Sequence, residues 1–398
     1  MRLTTNAGIL PNGFQASGIS AKIKKSGKKD LALFISGAPC VASVQFSANR
    51  IQAAPLGICR RHLKAGSVRA IIANSGNANC MTGHQGVKDA EEMTALLANA
   101  FSLKKEEVLV ASTGIIGKPL PMGKIRIAVR PLVLGLSAKG VSAAAGAILT
   151  TDTFAKEVCA KIHLGNKTVT VTGVAKGAGM IAPTLKSATM LAFIFTDARI
   201  SKPVLDKALG LATDDSFNAI TIDGCMSTND MVIAMANGLA KNKTIKAGSA
   251  EERIFAQVLK DVCLALAKMI VRDAEGATKF IEINIRSAEN DTQAKALAFS
   301  VANSNLFKCA MFGQDPNWGR IAAALGSVSS GLKWERLDIS LNSRFVFRKG
   351  RPVACRNRHF LKDRNIRVDI DLHAGKAAGT VYTSDLSYGY VRINADYN

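Results

Sequence analysis

No apolar run in this sequence approaches the roughly 18 residues that a membrane-spanning helix requires. The first twenty residues contain one early arginine and no continuous apolar core, which argues against a secretory signal. They are also too poor in arginine and serine for a mitochondrial presequence. We therefore predict a cytoplasmic protein that makes no membrane contact.

The sequence also lacks the residue spacings of disulfide frameworks and metal sites. Its eight cysteines are scattered without a C-x-x-C pair, and none of its histidines are spaced as H-x-x-x-H. A long chain without a secretory signal has little use for a disulfide framework. We predict reduced cysteines, no metal and no cofactor.

Acidic residues are scarce: 30 aspartates and glutamates stand against 52 lysines and arginines, for a formal net charge of +22. A field of that size attracts anions, including nucleic acid and small anionic substrates, without specifying any of them. The densest basic stretches, residues 22–29 and 344–367, alternate charges with apolar residues, which is typical of solvated strand faces. We therefore predict surface charge here, with nucleic acid as the less favoured partner.

The 398 residues, 48% of them apolar, are enough to form the hydrophobic cores of two or three domains. Hydrophobic periodicity predicts strands and helices in alternation, and so an α/β protein. The predicted helices span residues 87–101 and 252–271, and the predicted strands 68–73, 108–110, 168–174, 190–195, 280–285 and 388–393.

The chain is organised around residues 168–198, where an alternating strand and a short, continuously apolar strand flank a loop. The loop contains glycines, a proline and three hydroxyl residues, Thr184, Ser187 and Thr189. A threonine directly before a buried strand would fix its Oγ at the mouth of that strand. An ordinary glycine-rich connection is the alternative interpretation.

A second loop follows the predicted strand at 108–110 and contains Ser112, Thr113 and Gly114. A strand that ends in these residues presents a hydroxyl and backbone N–H groups at one edge of a sheet, and such donors could hold a developing oxyanion. The alternative is a simple turn rich in hydroxyl and glycine residues.

Several loops of the chain together resemble one known family. The matching segments are Lys176–Pro183 (KGAGMIAP), Ala188–Leu191 (ATML), Thr150–Thr153 (TTDT), Asp223–Asp230 and Asp315–Arg320 (DPNWGR). In order and at similar intervals, they resemble the glutamate N-acetyltransferases of arginine biosynthesis, also called ornithine acetyltransferases. The resemblance extends from about residue 7 to the C-terminus.

The resemblance implies an αββα sandwich, in which two mixed sheets pack between helix layers, and a precursor of the N-terminal-nucleophile type. The precursor would cut itself between Ala188 and Thr189, giving an alpha chain, 1–188, and a beta chain, 189–398, interlocked in one fold. Protomers of two chains would pair into a heterotetramer.

The resemblance also implies the reaction. Thr189, with its new α-amine as base, would accept the acetyl group of N2-acetylornithine and pass it to glutamate in a ping-pong cycle. Thr113 and Gly114 would form the oxyanion hole. Substrate contacts would come from Thr150, Lys176, Thr189, Glu275 and Asn394. The sequence leaves open whether acetyl-CoA is also a co-substrate.

Two features of the sequence depart from the family pattern, and two functions other than acetyl transfer stay open. The spacing from Lys176 to Thr189 is two residues longer than is usual in the family, which makes Ser187 and Thr184 alternative nucleophiles. The family usually has a Thr or Ser one residue beyond Asn398, and we expect that substrate contact to be absent or replaced by the terminal carboxylate. The other functions are an autoprocessed amidohydrolase or aminopeptidase, and a non-catalytic basic binding protein.

Overall fold

The computed structural model describes residues 3–182, 190–328, 331–355 and 358–396. These residues form two compact units. Within the described residues, unit 1 contains 3–177, 190–218 and 226–270, and unit 2 contains 178–182, 219–225 and 271–396. The predicted division at residue 188 is a covalent cut within a single fold, so the boundaries of these units do not test it and it stays a prediction.

Strands and helices alternate along the chain, as the periodicity predicts. The strands are β1 (Leu3–Thr5), β2 (Phe14–Ile19), β3 (Leu31–Phe46), β4 (Val68–Asn77), β5 (Val108–Ile115), β6 (Lys156–Leu164), β7 (Lys167–Lys176), β8 (Leu191–Thr196), β9 (Met231–Ala236), β10 (Phe280–Ala288), β11 (Asp338–Leu341), β12 (Arg344–Arg348), β13 (Arg351–Pro352), β14 (Asn365–Asp371) and β15 (Ala377–Ser384). The helices are α1 (Ala54–His62), α2 (Gly83–Phe101), α3 (Met122–Leu134), α4 (Val141–Ala147), α5 (Lys202–Asp214), α6 (Ala250–Arg272), α7 (Asp291–Ala302), α8 (Asn305–Phe312), α9 (Trp318–Gly326) and α10 (Tyr388–Ala395).

Unit 1 contains a nine-stranded mixed sheet in the order β1-β6-β7-β8-β9-β3-β4-β5, with β2 added beside β3. Strand β3 serves two parts of this sheet. Its residues 31–36 pair with β2 and β4, and its residues 41–46 pair with β9. Two neighbouring pairs, β4–β5 and β8–β9, are parallel, so both strands of each pair end at the same edge.

The two parts of this sheet pack face to face. The ring of Phe34 in β3 lies 5.5 Å from that of Phe193 and 5.0 Å from that of Phe195, both in β8. Helices α1 and α2 pack on β5, and helix α5 packs on β3 and β9. Leu266 of α6 packs against Gly173 of β7. The predicted α/β fold of mixed sheets between helix layers is confirmed.

Unit 2 has a mixed sheet of its own, with six strands in the order β13-β12-β11-β14-β10-β15. Only β10 and β14 are parallel neighbours in it. Every second residue of β10 from Ile281 to Ile285 is fully buried and belongs to a core shared with α7, α8 and α9. The alternation that predicts a strand at 280–285 therefore arises from a sheet with one face against helices.

The predicted C-terminal strand at 388–393 is wrong: these residues belong to helix α10. The Ser387 hydroxyl accepts hydrogen bonds from the N–H groups of Gly389 and Tyr390, at 3.0 and 3.4 Å. Such an N-cap satisfies donors that a first helical turn leaves unpaired. The tyrosine, valine and isoleucine residues that favour a strand are overridden by this local cap.

None of the helices in the described ranges is both long enough and apolar enough to cross a membrane.

Candidate active site

The predicted oxyanion residues Thr113 and Gly114 lie in the last part of strand β5, beside the end of strand β4. In the parallel β4–β5 pair, Ser75 is in register with Thr113 and Gly76 with Gly114. Residues 108–112 of β5 are buried, whereas Thr113 and Gly114 are partly exposed. The strand therefore brings a hydroxyl and backbone amides from the core to an accessible edge of the sheet.

Only glycine fits at position 114. Its φ of 130° is unfavourable for a residue with a side chain, and a Cβ there would lie 2.3 Å from the carbonyl carbon of Gly76. The close approach of these two backbones explains why the register of the β4–β5 pair shifts directly after them. The predicted oxyanion residue Gly114 is thus fixed by packing as well as by its conformation.

Buried amide side chains hold this edge in place. The Ser112 hydroxyl donates to Asn74 Oδ1 at 2.7 Å, and Asn74 Nδ2 donates to the carbonyl of Asn77 at 2.9 Å. Asn229 Nδ2 donates to the carbonyls of Ala78 and Ser112, at 2.5 and 2.8 Å. Donors fixed in this way need little reorganisation when charge develops on a bound carbonyl, which is the condition for an effective oxyanion hole.

Asp152, the third residue of the Thr-Thr-Asp-Thr segment, connects two of the predicted substrate residues. Its side chain is inaccessible to solvent and accepts hydrogen bonds from the Thr150 N–H at 3.0 Å and the Gly177 N–H at 2.7 Å. Lys156 Nζ donates to Oδ1 at 2.7 Å, and Lys176 Nζ lies 4.0 Å from Oδ2. Thr150 and Lys176, distant in sequence, are therefore positioned by one carboxylate.

The charge of Asp152 is maintained by its neighbours. Burial opposes its ionisation, but the ammonium groups of Lys176 and Lys156 and the hydrogen bonds outweigh burial, and they hold the pKa of Asp152 well below its usual range. Lys176 is itself buried at the end of β7, with a side chain only 10% exposed. Lys176 is therefore not an exposed surface lysine.

Lys24, which lies in the basic stretch predicted to be surface charge, belongs to the same region. Its Nζ donates to the carbonyl of Leu149, at 2.7 Å, on the peptide group that leads to Thr150. Burial, opposed by Asp30 and assisted by Lys176, lowers the pKa of Lys24 to about 8. The sequence feature that could have indicated this burial is Asp30, an isolated acid at the end of the basic run. Its buried carboxylate accepts hydrogen bonds from the N–H groups of Ile23 and Lys24.

Asp230 is a second charged residue whose burial is not predicted from the sequence. It lies directly before β9, is 3% exposed, and its Oδ2 has no hydrogen-bond partner in the part of the chain that the structure describes. Burial raises the pKa of Asp230 well above its usual range, although Ser227, Lys176 and Ser47 act in the opposite direction. The Ser47 hydroxyl donates to the carbonyl of Ser227 at 2.7 Å. Burial therefore favours the neutral form of the Asp230 carboxyl.

In unit 2, the structure brings together the other two predicted substrate residues. Asn394 Nδ2 donates to Glu275 Oε2 at 2.8 Å. Glu275 is buried beside Gly179, where a Cβ would lie 2.4 Å from Oε2, and its N–H donates to the carbonyl of Ala178. The glycine-rich segment before the predicted cut therefore packs directly on this carboxylate.

Asp223 fixes the same segment from another loop of unit 2. Its carboxylate accepts hydrogen bonds from the N–H groups of Met180 and Ile181, at 2.6 and 3.0 Å, and from the Tyr390 hydroxyl at 3.2 Å. Burial and the Asp223 charge raise the pKa of Tyr390, so that the hydroxyl stays a donor. Asp223 lies in one of the loops that resemble the family, but it is not among the predicted site residues.

The predicted nucleophile and cut lie outside the described residues. This applies to Thr189 and Ala188 and also to the alternatives, Ser187 and Thr184. The structure resumes at Met190, which leads into β8. The predicted roles of Thr113, Gly114, Thr150, Lys176, Glu275 and Asn394 stay predictions.

Within the described ranges, no group of three His, Cys, Asp or Glu side chains is arranged to hold a metal ion. The buried carboxylates of the two candidate clusters, Asp152 and Glu275, accept hydrogen bonds from lysine, amide and backbone donors. The expectation of a reaction without metal or cofactor stays a prediction.

Comparison with known proteins identifies the family. The model of the ArgJ family matches residues 15–398. The chain belongs to the ArgJ family. The predicted family, and with it the predicted class of enzyme, an acyltransferase of arginine biosynthesis, is therefore confirmed.

Individual relatives agree with this assignment. The chain is 47% identical over 390 residues to the arginine biosynthesis bifunctional protein ArgJ of Geobacter sulfurreducens, with 97% of this chain and 98% of the relative covered. It is 38% identical to a crystal structure of the ArgJ protein from Bacillus halodurans, with a TM-score of 0.50, covering 52% of this chain and 98% of that one. A chain of the Mycobacterium tuberculosis ornithine acetyltransferase complexed with ornithine is also 38% identical, with a TM-score of 0.43, covering 46% of this chain and 99% of that one.

Proposed function

We propose that this chain transfers the acetyl group of N2-acetylornithine to glutamate, through an acetyl ester formed on Thr189. One observation carries the proposal: the family match extends over residues 15–398 and so includes every residue assigned to the site. The described ones among them occupy ordered positions, Thr113 and Gly114 at a fixed strand edge and Thr150 and Lys176 around Asp152.

Self-cleavage is the first step of the proposal. The Thr189 hydroxyl attacks the carbonyl of Ala188; the Oγ–C bond forms, the C–N bond breaks, and the proton of the hydroxyl ends on the new amine. Water then hydrolyses the ester and releases the carboxylate of Ala188, leaving Thr189 with a free hydroxyl and a free α-amine. That amine, with an ordinary pKa of about 8, is close enough to neutral pH to act as a base for its own Oγ.

Two observations support a cut in this region. Strands β7 and β8 flank it and are hydrogen-bonded neighbours, so two separated chains would remain joined within one sheet. The Bacillus halodurans chain is almost fully covered yet corresponds to only 52% of this chain, whereas the Geobacter relative is matched over nearly its whole length. The predicted beta chain, 189–398, is likewise slightly more than half of the sequence.

Acetyl transfer then proceeds in two half-reactions at the same hydroxyl. Thr189 Oγ attacks the acetyl carbonyl, the Thr113–Gly114 edge stabilises the oxyanion, and ornithine leaves with the proton from Oγ. Glutamate attacks the ester in the reverse sense and restores the hydroxyl. One oxyanion donor typically contributes about 3 kcal/mol to such a transition state, because it is positioned before charge develops.

The remaining site residues would bind the parts of the substrate that do not react. Lys176 and Thr150 suit the α-carboxylate, since an ammonium and a hydroxyl both donate hydrogen bonds. Glu275, oriented by Asn394, suits an amino group.

Assembly and co-substrate complete the proposal. We propose two chains per protomer and a heterotetramer of two protomers, which light scattering of the purified protein would measure directly. Acetyl-CoA as a further acetyl donor and a cytoplasmic location also remain proposals.

Mass spectrometry of the purified protein tests the nucleophile. We expect a chain that begins at Thr189, and we expect Thr189→Ala to abolish both the cut and acetyl transfer. Ser187→Ala and Thr184→Ala are the matched controls, since each removes a neighbouring hydroxyl, and both should retain the two activities.

Three outcomes would contradict parts of the proposal. Acetyl transfer by an uncut chain of 42.1 kDa would refute the role of the new amine. Retention of transfer in Thr189→Ala would refute the nucleophile. Release of acetate with no acetylglutamate formed would identify an amidohydrolase on the same scaffold.

A further inference from the structure

Lys24 differs from every other lysine of the basic stretch 22–29. The others are exposed, whereas Lys24 is half-buried, with its aliphatic stem beside Gly76 of β4. Gly76 is the register partner of Gly114, the predicted oxyanion residue. The side chain of Lys24 therefore extends from Gly76 to the carbonyl of Leu149, directly before Thr150.

The ammonium group of Lys24 retains one donor for a ligand. Two of its three donors are used, on the carbonyls of Leu149 at 2.7 Å and Lys29 at 2.9 Å. No third partner occurs among the residues that the structure describes. The group is thus held by two backbone carbonyls, of which that of Leu149 directly precedes Thr150, and no carboxylate of the described residues accepts a hydrogen bond from it.

The charged groups that face Lys24 come from three other parts of unit 1. The carboxylates of Asp30 and Asp152 favour its charge, whereas burial and the ammonium groups of Lys176 and Lys28 oppose it. Lys24 therefore lies close to the second cation of the site, Lys176, and loses its proton more readily than an exposed lysine.

The proposed reaction requires a group that distinguishes the acceptor amino acid from the donor. Both amino acids have an α-carboxylate, which one ammonium can bind, but only the acceptor glutamate has a second carboxylate. The donor has an ammonium at the corresponding end. A cation reserved for the second carboxylate would distinguish the acceptor from the donor and from uncharged analogues.

We propose that Lys24 binds the side-chain carboxylate of the acceptor, while Lys176 binds the α-carboxylate that both amino acids share. The inference rests on the proposed function. It predicts a specificity effect: the loss of Lys24 weakens the use of glutamate and spares the donor half-reaction.

The experiment uses the processed full-length protein in four forms: wild type, Lys24→Gln, Lys24→Arg and the exposed neighbour Lys25→Gln as control. Ornithine release from N2-acetylornithine alone measures the donor half-reaction. The ratio of kcat/KM for glutamate to that for glutamine measures recognition of the acceptor carboxylate. We expect Lys24→Gln to lower this ratio at least tenfold, since a charge-assisted hydrogen bond is lost, with ornithine release within about twofold of wild type.

The remaining forms and the pH profile separate specificity from a structural role. Lys24→Arg and Lys25→Gln should keep the preference for glutamate. In wild type the KM for glutamate should rise as pH passes about 8, where Lys24 loses its charge, and this rise should be absent in Lys24→Gln. If Lys24→Gln lowers ornithine release and the use of both acceptors equally, Lys24 has only a structural role and the proposal is overturned. An unchanged ratio of kcat/KM for glutamate to that for glutamine would also overturn it. If wild type releases no ornithine, the proposed function itself fails, and this inference fails with it.

Discussion

Replacing Asp152 by asparagine should destabilise the protein strongly, because it removes one partner of a buried ion pair. The side chains of Asp152 and Lys156 are both 0% exposed, and Nζ lies 2.7 Å from Oδ1. Removing one member of a buried pair costs about 3–5 kcal/mol, since the other charge stays buried without its counterion. Chemical denaturation of the processed protein measures this difference. Acetyl transfer should fall as well, because Thr150 and Lys176 lose the carboxylate charge that both of them face.

The chain contains a matched control for this prediction. Lys202 and Asp206 have the same i, i+4 spacing and a distance of 2.6 Å, but their side chains are 50% and 43% exposed. Asp206→Asn should therefore cost only about 0–1 kcal/mol. Because the pKa of Asp152 is depressed, its contribution is present above the ordinary aspartate pKa and is lost as pH falls below it. Equal losses in the two variants, or a difference from wild type that does not shrink below about pH 4, would refute the reasoning.

Two further predictions concern the same unit. Gly114→Ala should lower kcat by about a hundredfold, because its Cβ would overlap Gly76 and shift an oxyanion donor. Gly117→Ala is the control, because Gly117 also has a positive φ but a Cβ there would meet no described atom within 4 Å. An equal loss of kcat in Gly117→Ala would contradict this explanation. Asp230→Asn should stabilise the protein increasingly as pH rises above about 4, because the raised pKa of Asp230 makes its neutral form the stable one and ionisation costly. A melting-temperature difference between variant and wild type that is the same at pH 4 and pH 8 would contradict it.

The sequence predicted most of the framework of the site, because hydrophobic periodicity is a local signal. The flanking strands around the predicted cut appear as β7 and β8, and the helix predicted at 252–271 is α6. Thr113 and Gly114 could be located at a strand end for the same reason. Their closeness to β4 could not be predicted, since it depends on a parallel register set by the intervening chain.

What the sequence could not indicate was the burial of single charged residues. Lys24 and Lys25 are adjacent lysines in one basic run, yet one packs beside Gly76 and the other is exposed. Local composition cannot distinguish them, because the difference comes from strand β4, which lies far along the chain. The hydrogen bond between Asn394 and Glu275 could not be predicted either, because it depends on helix α10. The residues of α10 favour a β-strand, so the sequence predicts a strand there.

The buried charges of unit 1 offer a physical reason for the scarcity of acidic residues. Three lysines, Lys24, Lys156 and Lys176, stand here against the two carboxylates of Asp30 and Asp152, so cationic side chains are in excess in this cluster. An ionised Asp230 would cancel that excess, but burial raises its pKa and so favours the neutral form. Such a cluster attracts an anionic amino acid at close range, where water and salt screen it least. The large net charge of +22 extends the same attraction over the surface, and glutamate is the proposed substrate that would benefit from both.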